Sequence, residues 1–229
     1  MAGWSRRRAT LGRMKDSLTA SVLTVPLIVI LFGCAASADD HPIVIDGREG
    51  LQEWKAANVI PLANGGSILY RSSAGGVDLA VRTEENGWSH IYLFDGELIR
   101  ILHASAALGT AEYVRSANGW RPVREFEWGA RDASMSAEAV EVRRKHLLQQ
   151  GWVASTTNMG EQGFLEFHLD QRLLSGSDIR IAVVSAASAD APHYWPETLG
   201  DATLAEELIY GNTPADLEFD PGQWARPPQ

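Results

Sequence analysis

Glycine punctuates this chain at intervals that leave room only for short strands. Between residues 43 and 124 the turn candidates are Asp46-Gly47, Asn64-Gly65-Gly66, Gly75-Gly76, Asn86-Gly87, Asp95-Gly96 and Asn118-Gly119, with strand-like runs between most of them. Strands are expected over 67–72, 77–83, 88–94, 98–103, 110–115 and 120–126, and two more over 164–169 and 179–185. Eight or so short strands in one domain predict a mainly β protein: a two-layer antiparallel β-sandwich, jelly-roll-like, with one or two short helices.

The first helix is expected to open at Ser136-Ala137-Glu138 and stop at Gly151, with Ala139, Val142, Leu147 and Leu148 as its apolar face. A shorter one is expected from Asp201 to Tyr210. The tail over 213–229 has no regular period, but Phe219 and Trp224 would waste apolar surface if left in water, so it is expected to pack back onto the sandwich.

The N-terminus reads as an address. Arg6, Arg7, Arg8, Arg13 and Lys15 precede an apolar run from Val22 to Phe32, shorter than the roughly 20 residues that span a bilayer. Leu31-Phe32-Gly33-Cys34 has the form of a bacterial lipobox, and Ala36-Ser37-Ala38 suits ordinary signal peptidase. Cys34 is the only cysteine, cannot form an internal disulfide, and sits where lipidation would need it. The expected organisation is therefore a lipoprotein-type signal over 1–33, an Ala/Ser/Asp tether over 34–42 and a single domain over 43–229. This predicts export to the cell envelope, with a lipid anchor holding the domain in the periplasm or at the surface. The net charge of −9 becomes more negative once the basic leader is removed, which argues against a nucleic-acid partner.

Asp95-Gly96 is a hairpin signal. As a two-residue loop it would pair Phe94 with Glu97, Tyr92 with Ile99, His90 with Ile101 and Trp88 with His103, placing all eight on one face. The histidines would then lie two pairs apart with no acid to orient either. Ser105 lies between alanines and lacks the spacing of a nucleophile elbow, so no catalytic residue is expected. The stripe Trp88, His90, Tyr92 has two readings: a platform for sugar rings, or core, since Ile99 and Ile101 share the face. Tyr194 and Trp195, in Pro192-His193-Tyr194-Trp195-Pro196, are expected in a displayed loop. With Trp88, Tyr92 and Trp152 they form the expected ligand-binding set.

Val44-Ile45-Asp46-Gly47 with Trp54, followed by Gly76-Val77-Asp78-Leu79-Ala80-Val81-Arg82-Thr83, resembles the opening of carbohydrate-binding module family 9-like and DOMON-like sandwiches. The tyrosine usual in that strand pattern is missing, Leu79 being followed directly by Ala80. The resemblance implies a sandwich presenting a ligand surface, with sugar as the usual ligand, and haem or sugar for DOMON relatives. Met135 and Met159, with the chain's histidines, are the axial ligands a haem site would draw on. No cofactor is expected, and no histidine pair has metal-ligand spacing. The expected function is non-catalytic glycan binding at the envelope; the alternatives are an assembly protein that binds an unidentified protein partner, and a haem-binding electron carrier.

Overall fold

The computed structural model describes residues 43–227 apart from 51, 86, 132, 133 and 189; the expected signal, Cys34 and the tether lie outside the described residues. Among the described residues, no helix is long and apolar enough to cross a membrane.

Alternation of buried and outward residues builds two antiparallel sheets. The first contains β1 (Asn58–Pro61), β2 (Ser67–Ser73), β3 (Gly76–Arg82), β8 (Trp152–Ala154) and β9 (Phe164–Asp170), in the order β1-β2-β3-β9-β8. The second contains β4 (Trp88–Phe94), β5 (Leu98–Ala104), β6 (Leu108–Ser116), β7 (Gly119–Gly129), β10 (Arg180–Ala186) and β11 (His193–Trp195), in the order β11-β10-β4-β5-β6-β7. Neither sheet closes into a barrel, so the molecule is the expected sandwich. Leu79, Val81, Phe167 and Leu169 from the first sheet meet Ile91, Leu93, Leu102 and Val183 from the second in the central core. Burying a side chain of this kind contributes about 1.5–3 kcal/mol.

Each sheet's outer face is also partly covered. On the five-stranded sheet, Trp54 from the N-terminal segment packs with Leu69, Ala80 and Phe164. The buried carboxylate of Glu166, on β9, fastens that segment. Its Oε2 accepts from the amides of Asp46 (2.9 Å) and Gly47 (2.7 Å), and its Oε1 from the Trp54 indole N–H (2.9 Å). The Ile45-Asp46-Gly47 turn and Trp54, which stand out as a sequence motif, thus converge on one side chain.

The tail covers the outer face of the six-stranded sheet, packing Leu199, Leu208, Phe219 and Trp224 against Tyr92, Ile99, Ile101 and Tyr113. Aromatic polar atoms tie it down: Tyr92 Oη donates to the Thr203 carbonyl (3.0 Å), Tyr113 Oη to Pro214 (3.1 Å) and Trp120 Nε1 to Phe219 (3.1 Å). The expected helix from Asp201 to Tyr210 is instead a 3-10 turn (Ala202–Leu204) followed by a four-residue helix, α2 (Glu206–Ile209).

Helix α1 (Ala137–Gln150) has the expected ends. Ser136 caps Ala139 N, and Gly151, at φ 78°, closes the C-terminus onto the Leu147 carbonyl. Its apolar face differs from expectation, with Val142 and Leu148 exposed and Ala139 and Arg143 buried. Positions 139, 143, 146 and 147 follow the helical stripe, and two of them, Arg143 and His146, carry polar heads. The Arg143 guanidinium donates to the Ser134 carbonyl (2.9 Å) and lies against the sulfurs of Met135 (3.3 Å) and Met159 (3.7 Å).

Candidate functional site

The hairpin at Asp95 sets the register of the central strands. Four residues, Asp95 to Leu98, lie between the paired Phe94 and Ile99. The Asp95 carboxylate accepts from the amides of Glu97 (3.1 Å) and Leu98 (2.9 Å), and only Gly96 of the expected pair has positive φ. This side-chain turn replaces the two-residue loop and corrects the pairing by two residues. A shift of two keeps the faces but brings His90 directly opposite His103.

Strand register then lays one row across the whole sheet: Tyr194, Val184, His90, His103, Gly109 and Trp128, from β11 to β7. His90 and His103 are buried. Their hydrogen-bond directions can be worked out from one end. The Thr203 carbonyl can only accept, so Tyr92 Oη donates to it and accepts from His90 Nδ1–H at 3.0 Å. Burial, then the neighbouring His103, holds the His90 pKa well below its usual value, so its ring is neutral and its Nε2 bare. That Nε2 accepts from His103 Nδ1–H at 2.5 Å. Burial lowers the His103 pKa to about 4, leaving this ring neutral too, with a bare Nε2 that no described group engages.

Two tryptophans flank His103. Trp88 lies nearly parallel to its ring (13°, centroids 6.4 Å), and Trp128 stands edge-on to it (88°, 5.0 Å). Trp128 stacks on Phe126 at 5.3 Å and stays 40% exposed. Gly109 permits this pose, because a Cβ there would sit 2.8 Å from the indole; Gly211, just after α2, leaves similar room. A fixed indole face beside a hydrogen-bond acceptor can hold an apolar ring face and orient one of its hydroxyls.

The expected ligand-binding set divides. Trp88 is half-buried beside His103. Tyr194 and Trp195 belong to edge strand β11 rather than a displayed loop: Tyr194 packs on the tail-covered face and Trp195 on the central core. Tyr92 and Trp152 are corrected outright, both being 0% exposed. Tyr92 is sealed by the tail, and Trp152 lies between the sheets with its indole donating to Thr110 Oγ1 (2.9 Å). Neither offers a face to a ligand. Sequence reasoning missed Trp128 by ending its strand at Phe126, although the alternation of Glu125, Phe126, Glu127 and Trp128 continues the period of two.

Other chemistry is thinly provided. Both methionine sulfurs lie against Arg143, an arrangement that does not fit the Met–His pair a haem site would use. Asp78 bonds His168 (2.7 Å) and Asp46 accepts from the Arg48 amide (3.0 Å). Among the described residues, no three His, Cys, Asp or Glu side chains converge as a metal site. Comparison with protein-family models, curated proteins and solved structures finds no match.

Proposed function

We propose that this protein is a non-catalytic sugar-binding sandwich of the cell envelope, exported by the 1–33 leader and held to a membrane by lipid on Cys34. The observation that carries the binding reading is the partly exposed Trp128 indole beside the bare Nε2 of His103. A pyranose stacks its C–H face on Trp128 and donates one hydroxyl to His103 Nε2, with Trp88 closing the other side of the imidazole. The chain His103–His90–Tyr92 ends on the Thr203 carbonyl, which can only accept, so the tautomer is fixed and His103 Nε2 is held as an acceptor. The likeness of the Val44-Ile45-Asp46-Gly47 and Trp54 opening to carbohydrate-binding sandwiches supports the same ligand class.

A glycan array probed with the purified processed protein tests this reading. Binding to at least one saccharide, lost in Trp128→Ala, is the expected result. No saccharide bound, together with a protein partner captured by crosslinking at Trp128, would favour an assembly role instead.

A further inference from the structure

Trp128 and Tyr210 are the two exposed aromatic residues among the described Phe, Tyr and Trp side chains, the others being buried or half-buried. They stand at one corner of the molecule. Tyr210 directly precedes Gly211, and a Cβ on Gly211 would lie 3.0 Å from Cζ2 and 3.1 Å from Cη2 of the Trp128 indole. Consecutive Cα atoms are about 3.8 Å apart, so the Tyr210 Cα is no more than about 8 Å from that edge of the ring. Single exposed apolar residues are ordinary, but two adjoining aromatic residues beside the bare Nε2 of His103 form a patch.

The turn that carries Tyr210 is held from both sides. Leu208 and Ile209 of α2 are buried, and three amides close the turn: Tyr210 N–H donates to the Glu206 carbonyl (3.1 Å), Gly211 N–H to Leu208 (2.8 Å) and Asn212 N–H to Glu207 (2.8 Å). Gly211 sits at φ 76°, a conformation that favours glycine, and its missing side chain lets the turn approach Trp128. Tyr210 itself is 63% exposed, and its hydroxyl bonds no described group. Packing of the tail therefore gives no reason for an aromatic ring at this position, whereas the C–H face of a sugar gives one. Glu206, Glu207 and Asn212, exposed on the same turn, supply acceptors and a donor for hydroxyl groups.

We infer that Tyr210 stacks on a second ring of the saccharide whose first ring lies on Trp128, so that the ligand is an oligosaccharide of two or more rings rather than a single sugar. This rests on the sugar-binding reading of Trp128 and narrows it. A tyrosine on a hydrogen-bonded turn has only two side-chain torsions to fix on binding, so stacking there costs little order.

A glycan array that carries each sugar singly and as its disaccharide and trisaccharide tests this, read as apparent Kd over a concentration series of the processed protein. Wild type is expected to bind at least one longer glycan about fivefold or more tighter than its single-ring counterpart. Tyr210→Ala is expected to bring that longer glycan down to the single-ring level, and Tyr210→Phe, which keeps the ring, to retain the margin. Three outcomes overturn the second ring while leaving the Trp128 platform in place: one ring binding wild type as tightly as two, Tyr210→Ala keeping the margin or weakening both lengths alike, and Tyr210→Phe losing it as fully as Tyr210→Ala. The first of these is decided on wild type alone, whatever the variants do. Failure of the platform itself looks different: no glycan binds wild type, or binding survives Trp128→Ala, and either result takes the second ring with it.

Discussion

His90 and His103 meet across the β4–β5 pair with ring nitrogens 2.5 Å apart, and the direction of that bond is set by a backbone carbonyl at the far end of the chain, Thr203. Both rings are therefore expected to carry their proton on Nδ1 at neutral pH. Long-range nitrogen–proton correlation spectra of the two imidazoles check this. An Nε2–H form of His103 would remove the acceptor on which sugar recognition depends.

The same burial makes the histidines acid-sensitive. An unfolded histidine titrates near 6.5 and folded His103 at about 4, so the unfolded chain binds the extra proton between those values. The associated stability is complete above about pH 6.5 and is lost as pH falls toward 4, amounting to about 3 kcal/mol for His103. His103→Gln is expected to flatten this part of the profile in urea unfolding followed from pH 7.5 to 4.5. An unchanged slope would mean that His103 takes up its proton in the folded state as readily as in the unfolded one.

Gly109 separates ligand binding from folding. Its Cβ would meet the indole of Trp128 at 2.8 Å, and that side chain is open enough to swing away. Gly109→Ala is expected to weaken saccharide binding at least fivefold while changing stability by less than about 1 kcal/mol. Saccharide titration and urea unfolding of the same variant check both halves. Full retention of binding would show that the pose of Trp128 is not what the ligand reads.

The sandwich was legible because strand alternation and glycine turns are local signals, and the caps of α1 at Ser136 and Gly151 are equally local. The site was less legible because it depends on register. A side-chain turn at Asp95 moved the pairing by two residues, and only that shift joins His90 to His103. Tyr92 and Trp152 misled for a related reason: an aromatic residue on a strand reads alike whether its face is open or roofed, and the roof over Tyr92 is a tail distant in sequence. Arg143 is buried and His146 half-buried on α1, places that a list of apolar residues at helical spacing does not include.

Glu166 acts in the opposite sense to the histidines. Burial pushes its pKa up to about 7 against the pull of the Trp54 indole and the Gly47 and Asp46 amides. Since the unfolded carboxyl titrates near 4.3, the folded state holds the proton over the interval between, and the stability present below that value is lost as pH rises toward 7. Glu166→Gln is expected to abolish this loss while costing about 2 kcal/mol at low pH, because its amide group cannot accept from all three donors. The difference between variant and wild-type unfolding free energies, followed from pH 4.5 to 8, isolates the effect from the histidines. A difference that does not change with pH would place the Glu166 pKa near its unfolded value.

Trp128 on β7 and Trp224 in the tail that covers the same sheet give the sharpest contrast between packing and recognition. Trp224 is 2% exposed, packs with Tyr92 and Phe219, and donates through Nε1 to Asp201 (3.0 Å); Trp128 is 40% exposed. Trp224→Ala is expected to cost about 3–5 kcal/mol, loosening the tail that roofs Tyr92 and the histidine chain. Trp128→Ala is expected to cost well under half of that while abolishing saccharide binding. Urea unfolding of each variant measures the first difference. Hydrogen exchange at Ile181, whose amide bonds the Ala225 carbonyl (2.8 Å), reports whether the tail has lifted: protection should fall in Trp224→Ala and persist in Trp128→Ala. Equal loss of protection in both would make Trp128 a structural part of the roof and leave the sugar platform without its defining residue.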